Sequence, residues 1–218
     1  DMAENPDLKW ETTEQKDIGL DIGLFKGNVT ANLDYFVKNT KDLLLWSGLP
    51  LFTGGGGIML NVGDIQNSGW EFTLGASPFD TKKFKWNTNF NFSILKNKVI
   101  KLSQGGNDDW QMSSGTNWGS KPDFRLKSGE SMGSINGVKY LGTWKPSEAE
   151  KAAKYGNVPG DSKYLDVNGD HVYDDKDDII IGQGMPKYSL GWNNTFNYKG
   201  LALNVFAQGL LGFDKYNY

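Results

Sequence analysis

The sequence predicts an all-β chain: a segment of an antiparallel transmembrane β-barrel, about six to eight strands of a larger one, with long extracellular loops. Three observations predict it. Apolar and polar residues alternate over runs of about ten residues or longer. Very short turns join these runs in pairs, and long polar connections separate the pairs. A period of two sends successive side chains to opposite faces of a strand. Each run therefore carries one apolar face and one face of amides, hydroxyls and charges. A sheet so built parts an apolar medium from a wet one, as a barrel wall does.

The clearest pair runs from Asp17 to Lys38. Ile18, Leu20, Ile22 and Leu24 alternate with Asp17, Gly19, Asp21 and Gly23. Beyond Lys26-Gly27, Val29, Ala31, Leu33, Tyr35 and Val37 alternate with Thr30, Asn32, Asp34, Phe36 and Lys38. A second pair spans Asn67 to Pro78 and Phe84 to Leu102. There Trp70, Phe72, Leu74 and Ala76 answer Phe84, Trp86, Thr88, Phe90, Phe92 and Ile94 across a turn at Phe79 to Lys83. A third spans Pro186 to Tyr198 and Leu201 to Leu211. Its apolar face holds Tyr188, Leu190, Trp192, Phe196 and Tyr198, interrupted by Asn194, and Lys199-Gly200 makes the turn. All short turns fall at one edge of the sheet. The long connections, Asn39 to Asp64 and Ser103 to Met185, fall at the other. Outer-membrane barrels share this asymmetry of short periplasmic turns and long external loops. Phe25, Phe79, Phe84 and Tyr198 cluster beside the turns, where rings favour the headgroup level.

The connection 103–185 is read as a long extracellular loop region. Parity allows zero or two crossings between Leu102 and Pro186, and Phe124 to Trp144 offers a short strand pair broken around Ser128-Gly129-Glu130. Pro146 to Tyr155 reads as a short exposed helix with Ser147 as its N-cap.

Composition narrows the function. The chain has 218 residues and a net charge of −3, which gives no electrostatic basis for binding nucleic acid. Cysteine is absent, so disulfides, zinc-thiolate sites and cysteine nucleophiles are excluded, and the single His removes most catalytic triads and metal triads. No nucleophile-base pair is evident, and no enzyme activity is expected. No stretch approaches the roughly 18 apolar residues of a membrane helix. Mean hydropathy is negative, but polar lumen-facing residues dilute that average in any barrel. Asp1 suggests that the chain is an internal or C-terminal fragment.

The sharpest local signal is DVNGDHVYDDKD, residues 166–177. Oxygen donors fall where a calcium loop uses them: Asp166 first, Asn168 third, Asp170 fifth, the Val172 carbonyl seventh, Asp174 ninth and Asp177 twelfth. Ca2+ is therefore the expected cofactor. His171 stands where such loops carry Gly, and Asp177 replaces the usual bidentate Glu. The other reading of the segment is a solvated acidic turn held by Asx hydrogen bonds. Trp110, Trp118 and Trp144 lie in the same external region and offer ring faces for stacking on a sugar or a peptide ring, or for packing the loop on itself. Gly54 to Gly57 lacks the Lys-Ser/Thr of a phosphate loop, and the neighbours Asp108 and Asp109 lack the opposed geometry of a glycosidase pair.

The chain resembles the SusC/RagA-like family of TonB-dependent outer-membrane transporters. The resemblance rests on residues 5–45 (NPDLKWETTEQKDIGLDIGLFKGNVTANLDYFVKNTKDLLL), 61–74 (NVGDIQNSGWEFTL), 84–102 (FKWNTNFNFSILKNKVIKL), SKYLDVNGD, and DDIIIGQGMPKYSLGWNNTFNYKGLALNVFAQGLLG. It implies a barrel of roughly 22 strands filled by an N-terminal plug, located in the outer membrane of a Gram-negative bacterium. It also implies energised import of oligosaccharides, or of peptides in some members, under a SusD-like surface lipoprotein. The plug, the segment that meets the TonB complex and the closing strands are expected elsewhere in the protein. Unpaired strand edges are not tolerated in lipid, so the wall needs those remaining strands. The rival architecture is a soluble β-sandwich, a calcium-binding adhesin or carbohydrate-binding module, with the same apolar face buried against a second sheet.

Overall fold

A computed structural model describes residues 2–48, 56–102, 108–112 and 124–215. The first strands are β1 (Met2–Ala3), β2 (Thr12–Leu24), β3 (Val29–Lys41), β4 (Leu44–Gly48), β5 (Gly57–Asn61), β6 (Gly63–Asp80) and β7 (Phe84–Leu102). Then come β8 (Asp109–Met112), β9 (Phe124–Lys127), β10 (Ser134–Gly137), β11 (Tyr140–Thr143), helix α1 (Ala149–Lys154), β12 (Ser162–Tyr164) and β13 (Ile179–Gln183). The chain closes with β14 (Tyr188–Tyr198) and β15 (Leu201–Leu211). It divides into two compact units. One is drawn from Asp1–Asp109, Lys127–Met132 and Met185–Phe213, the other from Trp110–Leu126, Gly133–Gly184 and Asp214–Tyr218.

The first unit holds a six-stranded sheet in the order β15-β14-β7-β6-β3-β2, every pair antiparallel. The register carries each face across all six strands. Leu20, Leu33, Phe72, Phe92, Leu190 and Gly209 lie in one row, and Ile22, Ala31, Leu74, Phe90, Trp192 and Ala207 in a parallel one. Between them, on the opposite face, runs Asp21, Asn32, Thr73, Asn91, Gly191 and Gln208. A slip of one residue in any strand would put its apolar set among amides.

The apolar band has the height of a bilayer core. On β7 it runs from Phe84 to Ile94, about 33 Å along the strand. At the usual barrel tilt of about 40° this becomes about 25 Å. Beyond it, on the same face, lies a row that turns polar: Lys16, Val37, Ser68 and Lys96. Aromatic rings mark both borders. Tyr35 and Trp70 pack at 4.8 Å near one, and Phe79, Phe84, Trp86 and Phe196 form a chain of ring contacts near the other. Leu20, Leu74 and Leu203 remain 57%, 38% and 59% exposed, so among the described residues no second sheet covers this face as a sandwich would require.

The short turns gather at one edge, as the sequence implies. Lys199 and Gly200 both take positive φ, 46° and 86°, the pair of left-handed residues that a type I′ hairpin needs. Phe36 departs from the alternation by sitting on the polar face. Its ring lies across Gly69, its partner on β6, where an added Cβ would stand 3.0 Å from the ring. The ring thus covers backbone that the glycine would leave bare.

β7 pairs directly with β14, from Phe84 against Tyr198 to Ile94 against Tyr188. Among the described residues, no strand of the connection inserts between them. Much of it folds into the second unit, a four-stranded sheet in the order β13-β10-β9-β8 with a separate β11-β12 hairpin. The pair expected around Ser128-Gly129-Glu130 is β9 against β10, with Ile135 opposite Phe124. The expected cap at Ser147 is corrected. The cap is Lys145, two residues earlier: a 3-10 turn starts at Pro146, and Glu148 Oε2 accepts from the Lys145 N–H at 3.1 Å. Proline's fixed φ suits the first helical position and moves the start forward.

Candidate functional site

Two places concentrate polar chemistry: the inner wall of the sheet and the acidic loop of the second unit.

On the wall, amides and hydroxyls meet across strands. Asn97 Nδ2 donates to Asn67 Oδ1 at 2.7 Å, and Ser77 Oγ to Asn87 Oδ1 at 2.8 Å. Asn32 donates to Asp21. Alternation alone puts these residues on one face; the register makes them partners. Near the short turns the polar face opens into a cavity of about 230 Å³ lined by Asn28, Thr30, Ser77, Asn87, Asn89 and Asn193, among others.

The loop 166–177 curls as its spacing suggests. Asp166 Oδ1 accepts from Gly169 N–H at 2.6 Å, and its Oδ2 accepts from His171 N–H at 2.9 Å and from the Tyr155 hydroxyl at 3.1 Å. Asp170 accepts from Val172 N–H at 2.9 Å and from Asn168 Nδ2 at 2.7 Å. Asp177 is fully buried and accepts from Val167 N–H at 2.8 Å and Asp174 N–H at 3.2 Å. Asp174 Oδ1 accepts from Lys176 N–H at 2.8 Å. The sixth position does demand a left-handed residue: His171 has φ 65°. The Lys176 ammonium lies 3.3 Å from Asp174 and 3.7 Å from Asp170. Among the described residues, no group of three or more His, Cys, Asp or Glu side chains forms a metal-holding cluster. The carboxylates face backbone N–H groups and the lysine instead.

These partners set the titration of the loop. Burial raises the Asp166 pKa, but the His171 and Gly169 N–H groups and the Tyr155 hydroxyl outweigh it, so the carboxyl falls below its ordinary value. The Val172 N–H and the Asn168 amide lower Asp170. Asp174 raises Lys176. Burial, then the bond to Asp166, raises the Tyr155 phenol.

Of the candidate tryptophans, Trp144 presents no open ring face. Trp144 is 4% exposed, with the Tyr155 ring 5.4 Å away and Lys163 Nζ 4.5 Å over its own ring. It packs the loop on itself. Trp110 is half-buried in β8, and Trp118 lies outside the described residues. Asp108 pins a turn, accepting from the Leu102 N–H and the Ser128 hydroxyl, and Asp109 faces Lys127 at 3.7 Å. Sequence reasoning missed the aromatic column behind the acidic loop. Tyr155 stacks on Tyr173 at 5.0 Å, and Tyr164 meets Tyr173 edge-on at 5.5 Å. The tyrosines come from α1's C-terminal end, β12 and the loop, and no periodicity links them.

Comparison with known proteins gives one consistent answer. Residues 2–215 match the family model described as TonB dependent receptor-like, beta-barrel. TonB-dependent receptor P26 of Formosa agariphila is 39% identical over 215 residues, covering 98% of this chain and 21% of that protein. TonB-dependent receptor SusC of Bacteroides thetaiotaomicron is 28% identical over 204 residues, covering 90% of this chain and 19% of that protein. The chain thus spans about a fifth of the length of the curated relatives it matches. Among solved structures, the RagAB peptide transporter superposes with a TM-score of 0.76 at 22% identity, over 96% of this chain and 22% of that one.

Proposed function

The chain belongs to the TonB-dependent receptor-like β-barrel family, whose members are outer-membrane proteins, and from that premise we propose that it forms six wall strands of a SusC-like nutrient importer. The observation that carries the reading is the two-faced register: an apolar band of bilayer height backed by a mostly polar face of amides, hydroxyls and carboxylates, interrupted by Phe36 and Phe206. A wall section makes and breaks no bonds; it offers a slippery polar lining. The proposed cargo is an oligosaccharide, because neutral donors and acceptors such as Asn32, Asn89, Asn91, Asn193 and Gln208 suit a hydroxyl-rich solute. A peptide is the other candidate, favoured by the shared fold with a peptide transporter. The proposed partners are a SusD-like lipoprotein over the external loops, the TonB complex through a plug outside this chain, and the remaining strands of the barrel.

The test is cysteine scanning of the full-length protein in native membranes. Cysteines at Asn32 and Asn91 should react with a water-soluble maleimide, and cysteines at Leu20 and Leu203 should not. Equal reaction on both faces would discard the barrel wall.

For the loop 166–177 we propose calcium binding through Asp166, Asn168, Asp170, Asp174, Asp177 and the Val172 carbonyl, in exchange for the Lys176 ammonium. The all-oxygen donor set and the curl of the loop support it. Limited proteolysis of the full-length protein with and without chelator should give extra cleavage in this segment once the ion is removed. Identical patterns would sink the proposal.

A further inference from the structure

The apolar face of the sheet changes character where its band ends. Within the band no residue of that face is charged, and its last row is Ile18, Tyr35, Trp70, Ile94, Tyr188 and Leu211. The next two rows on the same face are Lys16, Val37, Ser68 and Lys96, then Glu14, Asn39, Gln66 and Lys98. Lys96 thus stands directly opposite Ser68, and Lys98 opposite Gln66. At a rise of about 3.4 Å per residue and a tilt of about 40°, Lys96 lies about 5 Å and Lys98 about 10 Å above Ile94. A headgroup layer is roughly 5–8 Å thick, and a lysine stem is long enough to reach back into it. Glu14 is paired with Lys16 at 3.0 Å, and Asp64 with Lys101 at 3.3 Å. Among the described residues, Lys96 and Lys98 have no ion-pair partner. Both are exposed, two like charges about 7 Å apart along one strand. β6 and β7 are inner strands of the sheet, flanked by β3 and β14. Closing the barrel adds strands beyond β2 and β15 and leaves this outward face uncovered.

We propose that Lys96 and Lys98, with the Ser68 hydroxyl across the ladder, bind the phosphate of an anionic lipid on the outer wall at the long-loop end. The inference rests on the barrel-wall reading, since it needs lipid against the apolar face, and it adds a ligand to that face. The site has two parts, and the occupant must match both. A phosphate presents several oxygens in a compact tetrahedron, so it bridges two ammonium groups and a hydroxyl at once. Directly below, Trp70, Phe72, Phe92 and Ile94 offer acyl chains an uncharged surface. A soluble anion uses only the first part. A lysine beside a membrane surface contributes roughly fivefold to the affinity for anionic lipid.

The experiment is native mass spectrometry of the full-length protein in detergent. The anionic probes are phosphatidylglycerol and monophosphoryl lipid A, and the zwitterionic probe is phosphatidylcholine. The wild type is compared with the pair Lys96→Gln and Lys98→Gln, and with the pair Lys96→Arg and Lys98→Arg. A third pair, Lys151→Gln and Lys154→Gln, removes the same charge from helix α1. At least one anionic lipid should bind the wild type more tightly than phosphatidylcholine does. Its affinity should fall about 25-fold in the first pair, roughly fivefold per lysine, and hold in the arginine and α1 pairs. Phosphatidylcholine should bind all four proteins alike. Equal affinity for anionic and zwitterionic lipid, or no loss in the first pair, would overturn the proposal. So would the same loss in the arginine pair or in the α1 pair. Displacement of the anionic lipid by millimolar inorganic phosphate would overturn it too, by assigning the lysines to a soluble anion. The maleimide pattern of Asn32→Cys and Leu20→Cys reports on the barrel wall separately, so the lipid site can fail while the wall stands.

Discussion

The indole N–H of Trp86 donates to Asn194 Oδ1 at 3.1 Å, across the β7-β14 ladder and on the apolar face of the sheet. Beside it, the Trp192 indole donates to Thr88 Oγ1 at 2.9 Å. Thr88 and Asn194 are themselves directly opposite. The polar interruption of the apolar band is thus a closed unit of two indoles, an amide and a hydroxyl, with Asn194 only 4% exposed. In lipid such a group has no water to fall back on.

Breaking one side of this pair leaves the other stranded. Trp86→Phe should lower the stability of the full-length barrel by about 1–3 kcal/mol, the cost of an unpartnered buried polar group. Asn194→Leu should cost a similar amount, and the double variant should cost less than the sum of the two. Urea unfolding of the protein in lipid vesicles measures all three.

The two faces should respond oppositely to charge. Leu74→Arg lies in the middle of the apolar band and should destabilise the barrel by about 2–4 kcal/mol. Thr73→Arg, one residue away on the polar face, should be nearly silent. Heat-modifiable electrophoretic mobility of the full-length protein distinguishes them.

Acid should loosen the loop 166–177 before the sheet. Asp166 and Asp170 have pKa values below their ordinary 3.8 in the folded loop. Their contribution is therefore present above pH 3.8 and is lost as pH falls through the depressed folded values. Lys176, raised above 10.5 by Asp174, contributes below pH 10.5 and loses its part as pH climbs through the raised value. Amide hydrogen exchange at 166–178 should accelerate at both extremes, beyond the intrinsic pH dependence of exchange, and stay protected between them.

His171 carries backbone strain and a ring contact at once. Its φ of 65° suits glycine, and its ring meets Tyr155 edge-on at 4.9 Å. His171→Gly loses the contact and relieves the strain, whereas His171→Ala loses the contact and keeps it. The alanine variant should be the less stable by about 1 kcal/mol. Thermal unfolding followed by tyrosine fluorescence reads the difference.

Much of this was legible in the sequence. Ile18, Leu20 and Ile22 share a face because an extended backbone turns each side chain away from the last, whatever lies nearby. Lys199-Gly200 announces its hairpin because only those few backbone angles close it. The residues that formed the acidic loop were equally plain, and His171 was already conspicuous at a position that wants a left-handed residue. What those oxygens touch was not: the Tyr155 hydroxyl and the Lys176 ammonium complete their shell only once the chain is folded.

The sequence by itself determined which side chains face oil and which face water, since direction along a strand is a local property of the backbone. Tertiary structure alone decided the company they keep. Trp86 and Asn194 stand 108 residues apart in the chain, and only the ladder between β7 and β14 makes them partners. Trp144 could be read as an open ring until Tyr155 and Lys163 covered it. Pairing joins residues from distant parts of the chain, and no period in the sequence records which ones meet.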